Sequence, residues 1–333
     1  MYNIIWRSDI NVSTATRYDL VRAAPSPDDL QIMWAIWSTL SFIAATSTGT
    51  VLVGVLASPS ARSTAFSLYV ATLMLPDFFL SFNCGITCAL NHVNNGYMSA
   101  THCEWQSIYI VFGSVSSTWM NAVVAREVYR LLSKTAKLET YVPPTTRIVL
   151  LQAAGVYTYS AVMASVTTWG VFPHQANAQG GMMCLPTEYL LASSLFGWLV
   201  FVPLTLGLPV NYVLFVAFNI WRNGSMRWSQ RSATVSAAGL VSSRVRVKQI
   251  RTLSLYFARI AVVLFGFRLP AIFLLCALDM KSVWFAWLAI MWVHLQGTVS
   301  AAMMLTKPDI LLAVLGLFKC RTLDIDASKS FGG

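Results

Sequence analysis

Apolar residues run in seven long stretches, at about 31–57, 64–90, 103–129, 147–170, 189–221, 251–279 and 283–306. Each exceeds the roughly 20 residues an α-helix needs to cross about 30 Å of hydrocarbon at ~1.5 Å per residue. Charged residues fall mostly in the breaks between them. The pattern predicts seven membrane-spanning helices. A shorter apolar segment follows, KPDILLAVLGLFKC, with Pro308 and Asp309 where a helix starts and Lys319 near its end. It is too short to span and is expected to lie along the membrane surface. The chain therefore reads as an all-α integral membrane protein, a seven-transmembrane helix bundle with a short C-terminal surface helix. The expected parts are an extracellular N-terminus over 1–30, the bundle over 31–306, and the surface helix with a short cytoplasmic tail over 307–333.

Composition supports the membrane reading. Of 333 residues, 56% are hydrophobic and 11% charged, against roughly 25% charged in soluble proteins; mean hydropathy is +0.61. The Lys and Arg residues set the orientation. The first break carries Arg62, the third Arg126, Arg130, Lys134, Lys137 and Arg147, and the fifth runs from Arg222 to Arg251 with no acid among its basic residues. The even breaks carry almost none, with Lys281 alone in the sixth. Basic loops stay inside, so the odd breaks are cytoplasmic and the N-terminus is outside, as in a multi-pass plasma-membrane protein. Asn11, in the sequon NVS, is then a glycosylation candidate on the outer face, whereas Asn223 in NGS falls inside. The start, MYNIIWRSDINVS, lacks a signal-peptide pattern, so the first span is expected to act as its own insertion signal. The net charge of +10 matches basic loops beside anionic membrane lipid. It does not point to nucleic acid, because the basic residues sit between hydrophobic spans. No internal repeat is visible, which weighs against a repeat-built transporter.

The six cysteines include no CxxC pair, and His92, His102, His174 and His294 are scattered singly, so neither a metal site nor a cofactor is expected. No Ser-His-Asp or paired-carboxylate pattern suggests an enzyme. Cys103 opens the third span, and Cys184 lies in the loop HQANAQGGMMCLPTE before the fifth. Both face the oxidising side, where a bridge would tie that loop across the mouth of the bundle; the alternative is two unrelated outer cysteines. Cys320, beside Lys319 and Arg321, is a palmitoylation candidate. Asp77 and Arg268 lie within spans, at a cost of about 2.5–3.5 kcal/mol each, and so need a partner or a wet cavity. Arg268 is a candidate for binding an anionic ligand group, against a structural ion pair or a solvated arginine. Glu104 and Glu188 at the outer rim are ligand candidates against a plain solvated surface. His294 is one against a satisfied polar group in the bundle.

Seven spans, an outer N-terminus, and a cysteine heading span three paired with the second outer loop resemble a G-protein-coupled receptor. Span three reaches Glu127-Val128-Tyr129 at the spacing from Cys103 that the rhodopsin-like Asp-Arg-Tyr motif has. Valine takes the arginine place, and Arg126 and Arg130 flank it. Leu73 and Asp77 resemble the span-two Leu-x-x-x-Asp signature, and Pro270 in FRLP stands at the span-six kink, with Arg268 where many receptors carry a tryptophan switch. Span seven, LQGTVSAAMMLTKP, is similar to the Gln-Gly-x-x-Asn-x-x-x-Tyr version of cyclic-AMP-receptor-like and other protist receptors, with Gln296 and Gly297 matching. Ser300 takes the asparagine place and Met304 the tyrosine place. The resemblance covers 31–320. It implies a receptor for an extracellular ligand of unknown class. Asp77, Pro270, Gln296 and Ser300 would form its switch, and Arg126, Glu127, Tyr129 and Arg130 would face a heterotrimeric G protein. His294 at the lysine place of retinal pigments and Ile110 at the aspartate place of amine receptors argue against those two subclasses. The competing readings are a transporter or channel, and a seven-helix protein without G-protein output.

Overall fold

Ser26 sets the start of the first helix. Its hydroxyl accepts the Asp29 N–H at 3.1 Å, and Pro27 fills the first helical position, where a missing N–H costs nothing. Span one therefore begins one turn before the apolar pattern suggests and runs Pro27–Ala57. The computed structural model describes residues 26–96, 99–136, 142–169, 175–179, 183–187, 197–231, 259–260, 262–270 and 283–318. After a turn at Pro59–Arg62 come span two, Ala65–Asn94, span three, Ala100–Ala136, and span four, Thr146–Trp169. Span five comprises Gly197–Phe201, Pro203–Gly207 and Leu208–Arg231. The sixth span is described only over 259–260 and 262–270. Span seven is Val283–Leu305, and the surface helix is Pro308–Phe318. Among the described residues, six helices are long and apolar enough to cross a membrane. Together with the sixth-span segment they form the seven-helix bundle that the hydrophobic pattern predicts. Leu151, Leu199, Phe215 and Leu312 stay more than half exposed, as expected where the surrounding solvent is lipid.

Pro76 sits inside span two and has no N–H to bond the Thr72 carbonyl one turn back. That carbonyl instead accepts the Tyr157 hydroxyl of span four at 2.6 Å. Among the described residues three stretches are wound in the wider π form, and two of them have a carbonyl served from outside. In Pro203–Gly207 the Leu204 carbonyl accepts Trp119 Nε1 at 3.1 Å. In Val262–Arg268 the Gly266 carbonyl accepts Trp292 Nε1 at 2.7 Å. Span two ends at Asn95, which takes the left-handed conformation at φ 56° that Asn tolerates. The surface helix docks on the inner ends of spans one and two. A Cβ on Gly54 would lie 2.7 Å from Val314 Cγ2, and Ser67 donates to Asp309 Oδ2 at 2.9 Å while accepting Lys307 Nζ at 3.1 Å.

The second outer loop is not plain coil. Strands β1, Gln175–Gln179, and β2, Met183–Thr187, pair antiparallel with Ala178 opposite Cys184. Among the described residues there are three apolar clusters, the smallest of them Val111, Val115 and Ala164. The outer one gathers Leu30, Met33, Trp34, Trp37, Tyr109 and Ile290. The larger inner one includes Leu73, Met74, Met120, Val124, Val128 and Ile260.

Candidate functional site

Alongside these apolar clusters lie buried polar groups, which must be paired to be tolerated there. Arg259 of the sixth span is fully buried. Its Nε and Nη2 donate to Ser300 Oγ of span seven at 3.0 and 2.5 Å. Its Nη1 donates to Asn121 Oδ1 of span three at 2.8 Å. Its Nη2 also faces Asp77 Oδ2 of span two at 3.7 Å, an ion pair without a hydrogen bond. Gln296 Nε2 of span seven donates to the other Asp77 oxygen at 3.3 Å. One guanidinium thus binds side chains on spans two, three and seven at once. The planar fork of arginine suits this, because its donors point in several fixed directions. The charges cancel, so the insertion cost of each ion is offset by the other as long as the bundle stays closed.

At the inner end of span three the charges are arranged differently. Glu127 is buried, and both its oxygens accept Arg130 Nη1, at 2.9 and 3.1 Å. The partner lies on the same helix, and its side chain is 47% exposed. Arg126 is exposed, and Tyr129 sets its ring 6.4 Å from that of Phe215 in span five. Val128 is fully buried in the inner core.

At the outer end, Cys103 and Cys184 form a disulfide with their Cα atoms 5.3 Å apart. The Cys184 N–H donates to Gln106 Oε1 at 2.8 Å, so the hairpin is fixed to the head of span three by both covalent and polar contacts. Glu104 Oε2 accepts Trp169 Nε1 of span four at 3.3 Å. His294 is buried on the other side, with Nδ1 3.0 Å from Ser41 Oγ of span one and Nε2 3.6 Å from Cys84 Sγ of span two.

No family model matches the sequence. No curated protein matches it either. The structure of squid rhodopsin does match: it superposes with a TM-score of 0.72 over 89% of this chain and 87% of that one, at 14% sequence identity. The chain has the rhodopsin fold.

On the rhodopsin fold the residues singled out in the sequence fall into three groups. Asp77, Gln296 and Ser300 come together, around a residue the sequence reading missed. Pro270 is half-buried just beyond the Val262–Arg268 turn. Of the ligand candidates, Glu104 pairs toward span four and His294 toward spans one and two. Glu188, Asn11, Cys320 and the Arg268 side chain lie outside the described residues. Of the residues expected to face a G protein, Glu127 and Arg130 pair with each other, Arg126 is exposed, and Tyr129 lies beside Phe215. The sequence did hold a signal for Arg259. A mid-span acid such as Asp77 demands a cation, and Arg259 is the arginine nearest before Arg268 in the same apolar run. Gln152, bonded by the Tyr69 hydroxyl, and Asn121 were likewise missed.

Proposed function

We propose that this protein is a receptor that binds a ligand from the outer side and signals to a cytoplasmic partner, with a heterotrimeric G protein as the leading candidate. The observation that carries the reading is the Arg259 cluster, which ties the sixth span to spans two, three and seven. A ligand that favours a state with spans five and six moved away from span three would have to release those bonds, and its binding energy would shift the balance between the two states. The basic loops around 126–147 and 222–251 would then meet the partner. The N-terminus lies outside, in the plasma membrane, with Asn11 glycosylated and Cys320 acylated. The outer pocket takes its contacts from among His294, Arg268, Glu104 and Glu188.

A second reading, a rhodopsin fold without G-protein output, draws support from buried Val128. A valine offers no hydrogen bond where rhodopsin-like receptors present an arginine. Nucleotide exchange on purified G proteins, with the protein reconstituted in lipid, separates the two. Exchange above that of protein-free vesicles for any ligand and G-protein pair supports the receptor. None across a broad panel favours the silent reading.

A further inference from the structure

We propose that Cys84 and Cys88 form a peroxide-oxidisable dithiol, with Cys84 as the attacking thiol, His294 as its base and Cys88 as the resolving thiol. The sulfurs lie 3.8 Å apart on successive turns of span two. Cys84 Sγ is also 3.6 Å from His294 Nε2, and His294 Nδ1 is 3.0 Å from Ser41 Oγ. In the tautomer with its proton on Nδ1, the imidazole donates to Ser41 and offers Nε2 to the thiol proton. A nucleophile, a base within reach, and a third group orienting the base make an activated thiol. None of these four side chains takes part in the Arg259 cluster.

Two observations select oxidation over other thiol chemistry. Among the described residues no group of three His, Cys, Asp or Glu could hold a metal ion. Cys84 and Cys88 are only 6% and 2% exposed, which excludes bulky electrophiles and leaves only a reagent near the size of water. Hydrogen peroxide is such a reagent. His294 takes the Cys84 proton, and the thiolate attacks one peroxide oxygen. The O–O bond breaks, and His294 returns the proton to the leaving hydroxide, giving a sulfenic acid and water. Cys88 sulfur then attacks the Cys84 sulfur. Its own proton and the departing hydroxyl leave as a second water, and a disulfide forms. Two thiols lose two electrons in all, and one peroxide gains them.

The bond forms under strain. Helical neighbours stand about 5–6 Å apart at Cβ, whereas a disulfide prefers about 3.5–4.5 Å. The bridge is therefore readily reduced, and the oxidation is reversible. Closing it draws Cys84 away from His294, the residue that links span seven to span one.

The test uses the full chain in lipid nanodiscs, exposed to hydrogen peroxide and then alkylated under denaturing conditions for mass spectrometry. The expected result is a Cys84–Cys88 bridge, seen as loss of two hydrogens from the span-two peptide and reversed by a phosphine. Cys88→Ser should leave a dimedone-reactive sulfenic acid on Cys84. His294→Gln should slow oxidation about a hundredfold or more, the low end for loss of a general base. Ser41→Ala, which leaves the imidazole in place, should slow it less. A wild-type-like thermal unfolding transition in nanodiscs reports that each variant is folded. Two results overturn the proposal: both thiols remaining alkylatable under peroxide that oxidises glutathione in the same nanodiscs, or folded His294→Gln oxidising at the wild-type rate.

Discussion

Two ion pairs divide the bundle. Asp77 and Arg259 sit in mid-membrane on different spans, both buried, with the arginine also held by Asn121 and Ser300. Glu127 and Arg130 sit at the inner end of one span, and the arginine is half in solvent. The first pair joins spans two and six, and its arginine ties in spans three and seven as well, whereas the second joins two residues of one helix. The mid-membrane pair therefore reports tertiary closure, and the inner pair reports local helix structure. In rhodopsin-like receptors the span-three arginine leaves its acid neighbour on activation. Here valine fills that place, and the buried arginine that links spans comes from the sixth.

Substitutions sharpen this contrast. Arg259→Met should have the largest effect, about 3–5 kcal/mol of lost stability, because it strands Asp77 as an unpaired buried charge. Thermal unfolding in nanodiscs would measure it. Adding Asp77→Asn to Arg259→Met should recover part of the loss, since no buried charge is then left uncompensated. If the two losses simply add, the ion pair is not the clamp. Tyr157→Phe should cost about 1 kcal/mol by orphaning the Thr72 carbonyl freed by Pro76. Glu127→Gln should cost the least, at most about 1 kcal/mol, because its partner is screened by solvent. A melting shift from Glu127→Gln as large as that from Arg259→Met would erase the distinction between the two pairs.

The spans were legible because each apolar run is long and each break is polar. The disulfide was legible because Cys103 heads the third apolar run and Cys184 lies in the loop before the fifth. Asp77, Gln296 and Ser300 were recognisable from motif spacing. Arg259 was not, because Arg268 in the same apolar run offered a second candidate cation. Arg259 and Arg268 are nine residues apart, about half a turn out of phase in a straight α-helix. The π-wound turns of Val262–Arg268 change that phase, so no periodicity could say which arginine faces inward. The hairpin escaped notice because its strands, Gln175–Gln179 and Met183–Thr187, carry little β-branched or alternating pattern. His294 was seen as a polar group within the bundle, but its partners Ser41 and Cys84 lie far away in sequence, and only packing brings them together.

The central claim is that Arg259 holds the sixth span against spans two, three and seven. Spin labels at Lys134, at the inner end of span three, and at Thr252, near the start of the sixth hydrophobic run, would read the separation of those spans by double electron–electron resonance. The account predicts one narrow distance distribution in the wild type and a longer or broader one in Arg259→Met. Superimposable distributions from two folded proteins would contradict it.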